Sequence, residues 1–246
     1  MTTAASRLRT DHASPLTTAR IVGAFYLLTI ATRMLVEIFV RNRFIVSDDA
    51  AATAANVLAH EPLFRLGFAA DMVAFASYVV LTALLYGLLK PVNRSVSLVA
   101  AFLSLVACAV QALSSVFYLI PVVLLKKSPY TNAFTREQLQ ALVLVFFSLR
   151  AMCYHNIGLV FFGLYCLLIG YLILMSAFLP RVIGALMMLA GCSYANFVSP
   201  PLVAQLQPYI LVFPAVGQIS LTLWLLVIGV NAQRWTEQAG RAQFSR

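Results

Sequence analysis

Charge is scarce in this 246-residue chain, and acid is scarcer than base: Asp and Glu total 8 against 17 Lys and Arg, and charged residues make up 10% of the sequence. A soluble domain carries about a quarter of its residues as charged groups, so a soluble globular fold is excluded. Histidine and cysteine are also few, at 3 and 4. Cys108, Cys153, Cys166 and Cys192 show no paired metal-ligand spacing, three of them lie within apolar stretches, and all four read as small packing residues. There is no histidine-rich metal cluster and no G-x-S-x-G elbow. No cofactor and no metal is therefore expected.

What the chain has instead is apolar length. Hydrophobic residues make up 62% and mean hydropathy is +0.90. Crossing a hydrocarbon core of ~30 Å takes ~20 residues, and runs of that order occur at about 20–40, 67–89, 95–125, 155–175, 181–198 and 209–230. The expected fold is all-α: a polytopic membrane bundle of six transmembrane helices over 20–231, with an N-terminal tail 1–19 and a polar C-terminal tail 232–246. The first run contains Arg33 and Glu37 and is followed by Arg41-Asn42-Arg43, so it is not a cleavable signal peptide. With the N-terminus inside, the inner loops and tails hold nine Lys and Arg against six outside, and the inner turns at Lys90 to Arg94 and Ser176 to Arg181 are short and basic. Both termini are thus expected to be cytoplasmic. The net charge of +9 is assigned to this orientation and to anionic lipid headgroups, not to nucleic acid.

Within these runs the charged and amide side chains fall at one depth. At ~1.5 Å per residue from the cytoplasmic ends, Arg33, Glu37, Asp71, Gln111, Asn196 and Gln218 lie roughly 20 to 27 Å in, His155 and Asn156 lie near 30 Å, and Arg150 lies just beyond. Such a layer is expected to bind a ligand. Its most demanding members are in the first run, where each central charge costs ~2.5 to 3.5 kcal/mol and each Leu, Ile, Phe or Val returns ~0.3 to 0.6. Eleven such residues between Ile21 and Val40 return ~3 to 7 kcal/mol against ~5 to 7 for two charges, so this helix is marginal alone. The spacing of four places Arg33 and Glu37 on one face, where they are expected to neutralise each other. Asp71 has two readings: a carboxylate at the positive end of a helix, or a countercharge to Arg33 or Arg150.

The loop after the first run suggests a helix from Asp48 to His60, started by Ser47-Asp48-Asp49 and ended by Pro62. It would align Thr53, Asn56 and His60 on one face, either as a lid over the layer or as an ordinary solvated face. The third run is too long for a simple crossing, and Gln138 to Arg150 is helix-compatible but too short to be a seventh span; both are expected to project outward around a vestibule. Gly163 with Gly170, and Gly184 with Gly191, repeat at seven, which predicts close helix contact. The stretch Leu84 to Leu89 (LLYGLL) echoes Leu167 to Leu172 (LLIGYL), as an internal repeat would.

Four stretches carry a resemblance: Gly23 to Ile30 (GAFYLLTI), Asp49 to Arg65 (DAAATAANVLAHEPLFR), Leu85 to Arg94 (LYGLLKPVNR) and Ile157 to Tyr194 (IGLVFFGLYCLLIGYLILMSAFLPRVIGALMMLAGCSY). They resemble the bacterial membrane family called domain of unknown function 4386. The resemblance implies a six-helix protein of the bacterial cell membrane and brings no activity or catalytic residues with it. Tyr165 stands in the FFGLY stretch where histidine is expected in many members, which argues against an obligatory metal ligand there. Three functions follow as expectations. The first is binding or movement of a small amphiphile or lipid, with Arg33 and Arg150 on an anionic group. The second is a membrane enzyme using His60, His155 and Asp71, and the third is a regulatory or assembly subunit facing a second copy or another membrane protein.

Overall fold

A computed structural model describes residues 14–41, 44–46, 49–126, 131–195 and 212–244, and all regular structure among the described residues is helical. Local chemistry sets most helix starts. Helix α1 (Pro15–Val36) begins at Ser14, whose side chain accepts a hydrogen bond from Thr17 N at 3.1 Å, with Pro15 in the first turn where its missing N–H is not needed. It runs on into a π-helical turn, Glu37–Arg41. Asp49 caps α2 (Ala50–Ala59) by accepting from Ala52 N. That helix ends at Ala59, before Pro62 as expected, and Pro62 itself lies in the first turn of α3 (Glu61–Leu89). Asn93 caps α4 (Arg94–Leu124), which continues past Pro121. A reciprocal box of Thr135 and Gln138 starts α5 (Arg136–Met152). The chain then passes through a π segment, Cys153–Gly158, into α6 (Leu159–Met175). Then follow α7 (Arg181–Ala195), α8 (Val212–Leu223) with its π extension Trp224–Ile228, and α9 (Ala232–Phe244). Gly229, at φ 77°, lets the backbone turn sharply between α8 and α9.

Among the described residues four helical stretches are long and apolar enough to cross a membrane: Pro15–Arg41, Glu61–Leu89, Arg94–Leu124 and Arg136–Met175. A fifth is added if α8 and α9, bent by 104°, count as one. Helix α7 is apolar but shorter, and the expected end of the fifth run and start of the sixth, with Asn196, lie outside the described residues. One expectation needs correction. Gln138 to Arg150 and His155 to Met175 are not separate pieces: they form one stretch of 40 residues, about 60 Å long against a core of ~30 Å. The described part of the C-terminal tail is α9, folded across the end of the bundle.

Packing divides the molecule into two cores. The larger joins Val22 and Tyr26 of α1 to Leu81 and Leu85 of α3, Tyr165 and Ile169 of α6 and Leu221 of α8. Its tightest seam is glycine on glycine. A Cβ on Gly170 would lie 2.7 Å from Gly184 O, and one on Gly191 would lie 2.7 Å from Gly163 O, so the expected close approach of α6 and α7 is present. The glycines of the echoed hexamers differ, because Gly87 has nothing within 4 Å of such a Cβ; the echo does not extend to a shared packing role. The smaller, outer core gathers Val36, Val40, Phe44, Val57, Phe64, Tyr118, Val122, Val143 and Phe147, where α5 and the far ends of α1 and α4 extend beyond the main bundle. The outward face of α1 presents Met34, Leu35 and Phe39, each more than half exposed, a surface suited to lipid rather than water.

Candidate functional site

The polar residues of the layer separate into two tiers along α1. In the inner tier Arg33 Nη1 donates to Gln111 Oε1 at 2.8 Å and Nη2 donates to Tyr154 OH. The guanidinium also lies 5.3 Å from the ring centre of Phe75 and 5.1 Å from that of Tyr154. These are neutral partners; among the described residues no carboxylate pairs with Arg33. Gln218 Nε2 donates to Tyr194 OH at 2.7 Å on the far wall. Between them is a cavity of about 100 Å³, lined by Tyr26, Arg33, Phe75, Tyr78, Gln111, Tyr154, Tyr194 and Gln218 among others. Tyr26 and Tyr78, both buried, share a hydroxyl cluster with Tyr165 behind them. The volume suffices for several waters or one small polar group. Gly158, at the end of the π segment, makes room for the tier: a Cβ there would come within 2.8 Å of Gln111 Cγ.

The outer tier is ionic. Arg41, only 4% exposed, donates from Nη1 to Glu37 Oε2 at 2.9 Å and from Nη2 to Asp71 Oδ2. Asp71 is 1% exposed and Glu37 is 48% exposed. The Ser115 hydroxyl lies 3.4 Å from Asp71 Oδ2 and 3.3 Å from Gln111 O, so it bridges toward the inner tier. Arg41 and Arg150 both lie against the Tyr118 ring, at 5.3 and 5.7 Å, and Arg150 also lies 5.7 Å from the ring of Tyr154.

Several expectations change here. Glu37 pairs with Arg41, not with Arg33. Asp71 stands ten residues beyond Glu61 and so away from the helix terminus, and its partner is Arg41 rather than Arg33 or Arg150. On an uninterrupted α-helix Arg41 would stand roughly 80° round from Arg33. The extra residue of a π turn takes back about 100° and brings both arginines onto the interior face. His155 and Asn156 sit in the second π segment and are exposed, with the His155 ring edge-on to Tyr154 at 5.0 Å. His60, His155 and Asp71 do not converge, and among the described residues no group of three His, Cys, Asp or Glu is placed to hold a metal.

The face of α2 expected to overlie the layer is occupied with the loop before it. Thr53 Oγ1 donates to Val46 O and accepts from Val46 N, both at 2.9 Å. Asn56 Nδ2 donates to Phe44 O at 3.1 Å, and His60 stacks on Phe44 at 4.2 Å. None of the three lines the cavity. Sequence reading missed Arg41, Tyr154, Tyr118, Tyr26 and Tyr78. Arg41 was placed in the loop with Asn42 and Arg43, and tyrosines inside apolar runs read as packing residues.

Long apolar helices packed into a bundle make this a helical membrane protein. More particularly, a family model described as Domain of unknown function (DUF4386) matches residues 21–229, and the chain belongs to that family. No curated protein and no solved structure matches it.

Proposed function

We propose that the protein binds a small anionic amphiphile, such as a lipid or a single-chain acid, with its polar end at Arg33 in the inner cavity. The observation that carries this reading is a guanidinium held in an apolar bundle by neutral partners only. Hydrogen bonds to a charged group contribute about 1.5 to 3 kcal/mol each and cation–π contacts about 0.5 to 2, so Gln111, Tyr154 and Phe75 offset the cost of burial. They leave the positive charge in place. A carboxylate or phosphate would neutralise it beside the Gln111 and Tyr154 side chains that already hold the guanidinium. In this reading the chain has six spans, with both termini cytoplasmic, in a bacterial cell membrane, and the cavity lies in the outer half of the bilayer.

The test is mass spectrometry of small molecules retained by protein purified in a nonionic detergent. A reproducible anionic amphiphile is expected with the wild-type protein and is expected to be lost with Arg33→Met, which keeps the length and removes the charge. Retention of the same molecule at the same stoichiometry by Arg33→Met would sink the reading.

A further inference from the structure

A second polar site lies at the other end of the bundle, where α1 begins and α9 crosses beneath the helices. Helix α9 is fastened there by side chains. Trp235 Nε1 donates to Leu88 O at 2.8 Å, Gln238 Oε1 accepts from Ala177 N at 3.0 Å, and Gln238 Nε2 donates to Met175 O at 3.4 Å. Between α9 and the turn that joins α6 to α7 runs an open groove of about 930 Å³. Arg181, Arg234 and Arg241 line it, beside the apolar side chains of Pro91 and Met175. Arg234 Nη1 donates only to Ala177 O, at 3.4 Å, and Arg181 and Arg241 have no hydrogen bond or ion pair among the described residues. Among the described residues the one carboxylate lining the groove, Glu237, accepts from Gln233 and pairs with none of the three. Three cations against one anion leave this described lining at +2.

Its level in the molecule limits what can occupy it. The apolar stretches of α3 and α6 end here at Leu89 and Met175, and that of α7 starts at Arg181. The arginines therefore stand at the hydrocarbon boundary with an apolar wall on the membrane side, and the Trp235 indole sits at the same level, as interfacial tryptophans do. Guanidinium groups bind phosphate oxygens through paired N–H donors, and a phosphodiester at this level carries its acyl chains into the bilayer beside Pro91 and Met175. We propose that this groove binds the phosphate group of an anionic phospholipid from the adjoining leaflet. The site is separate from the Arg33 cavity, and neither reading depends on the other.

The test uses the full chain in a nonionic detergent, titrated with phosphatidylglycerol, with phosphatidylcholine and with inorganic phosphate, following the melting temperature and the bound lipid by native mass spectrometry. Phosphatidylglycerol is expected to stabilise and remain bound while phosphatidylcholine does neither. Removing one interfacial arginine lowers the affinity about fivefold, so Arg181→Gln/Arg241→Gln is expected to lose most of the effect. Arg136→Gln, at the opposite end, is expected to keep it. Because these side chains are exposed, lipid-free melting is expected to be unchanged; Arg241→Gln alone serves if the double variant folds poorly. Equal binding of the two lipids, or undiminished phosphatidylglycerol binding by the variants, would overturn the proposal. Stabilisation by inorganic phosphate without retained lipid would overturn the lipid assignment.

Discussion

Arg33 and Arg41 lie two turns apart on one helix and face the same interior, yet their surroundings differ in kind. Arg41 is closed in by two carboxylates and the Tyr118 ring. Arg33 has an amide, a phenol and a cavity. Both are arginines on the interior face of an apolar bundle, so residue type does not separate them. Compensation does: a charge whose counterion is built in holds helices together, whereas one lacking it is left to attract an anion from outside. The difference also follows position along the helix. The outer tier lies where α1 is about to leave the main bundle and Glu37 is half exposed, while the inner tier, at Arg33, is two turns back along the helix.

The largest effect that breaks this contrast is expected from Asp71→Ala. It strips Arg41 of its buried partner and is expected to destabilise by about 3 to 5 kcal/mol, read as a fall in melting temperature in detergent. Arg41→Met/Asp71→Leu, which removes both charges, is expected to recover most of that loss; no recovery would mean that the pair does more than compensate charge. Gly158→Ala strikes the other tier. Its Cβ meets Gln111 Cγ, so about 1 to 3 kcal/mol of overpacking is expected, with ligand retention reduced and the Arg41 cluster intact. Unchanged retention would show that Gln111 does not position Arg33. The smallest effect is expected from Glu37→Gln, about 0 to 1 kcal/mol, because the carboxylate is half exposed and Asp71 remains as the buried partner of Arg41. A loss as large as that of Asp71→Ala would make the two carboxylates equal and remove the distinction between a buried and a peripheral partner.

How much of this was legible in the sequence depended on contrast with the surroundings. Arg33, Gln111 and Gln218 are polar residues in apolar runs, and all three line the cavity. The glycine pairs were legible because a helix face repeats at seven, and their close contact is realised between α6 and α7. Arg41 was not, since it sits beside Asn42 and Arg43 and reads as the loop that follows a span. Two π turns made the difference, one carrying Arg41 inward and the other lying within the joined helix that places Tyr154 beside Arg33. Such turns depend on which neighbours reward an extra residue in the ladder, and no local pattern announces that. The tyrosines escaped for another reason: each counts as apolar by composition, and only packing reveals which hydroxyls cluster.

The 40-residue stretch from Arg136 to Met175 has a mechanical consequence. It passes both cores, so it acts as a lever with its π segment near the middle, beside Arg33 and Arg150. Its outer arm, from Arg136 to Cys153, is roughly 25 Å long. A change of 10° in the tilt of the inner arm, of the sort a thicker or thinner bilayer imposes, sweeps the outer tip by roughly 4 Å. Val143 and Phe147 of this outer arm belong to the smaller core, so a tilt of the stretch would bear directly on its packing.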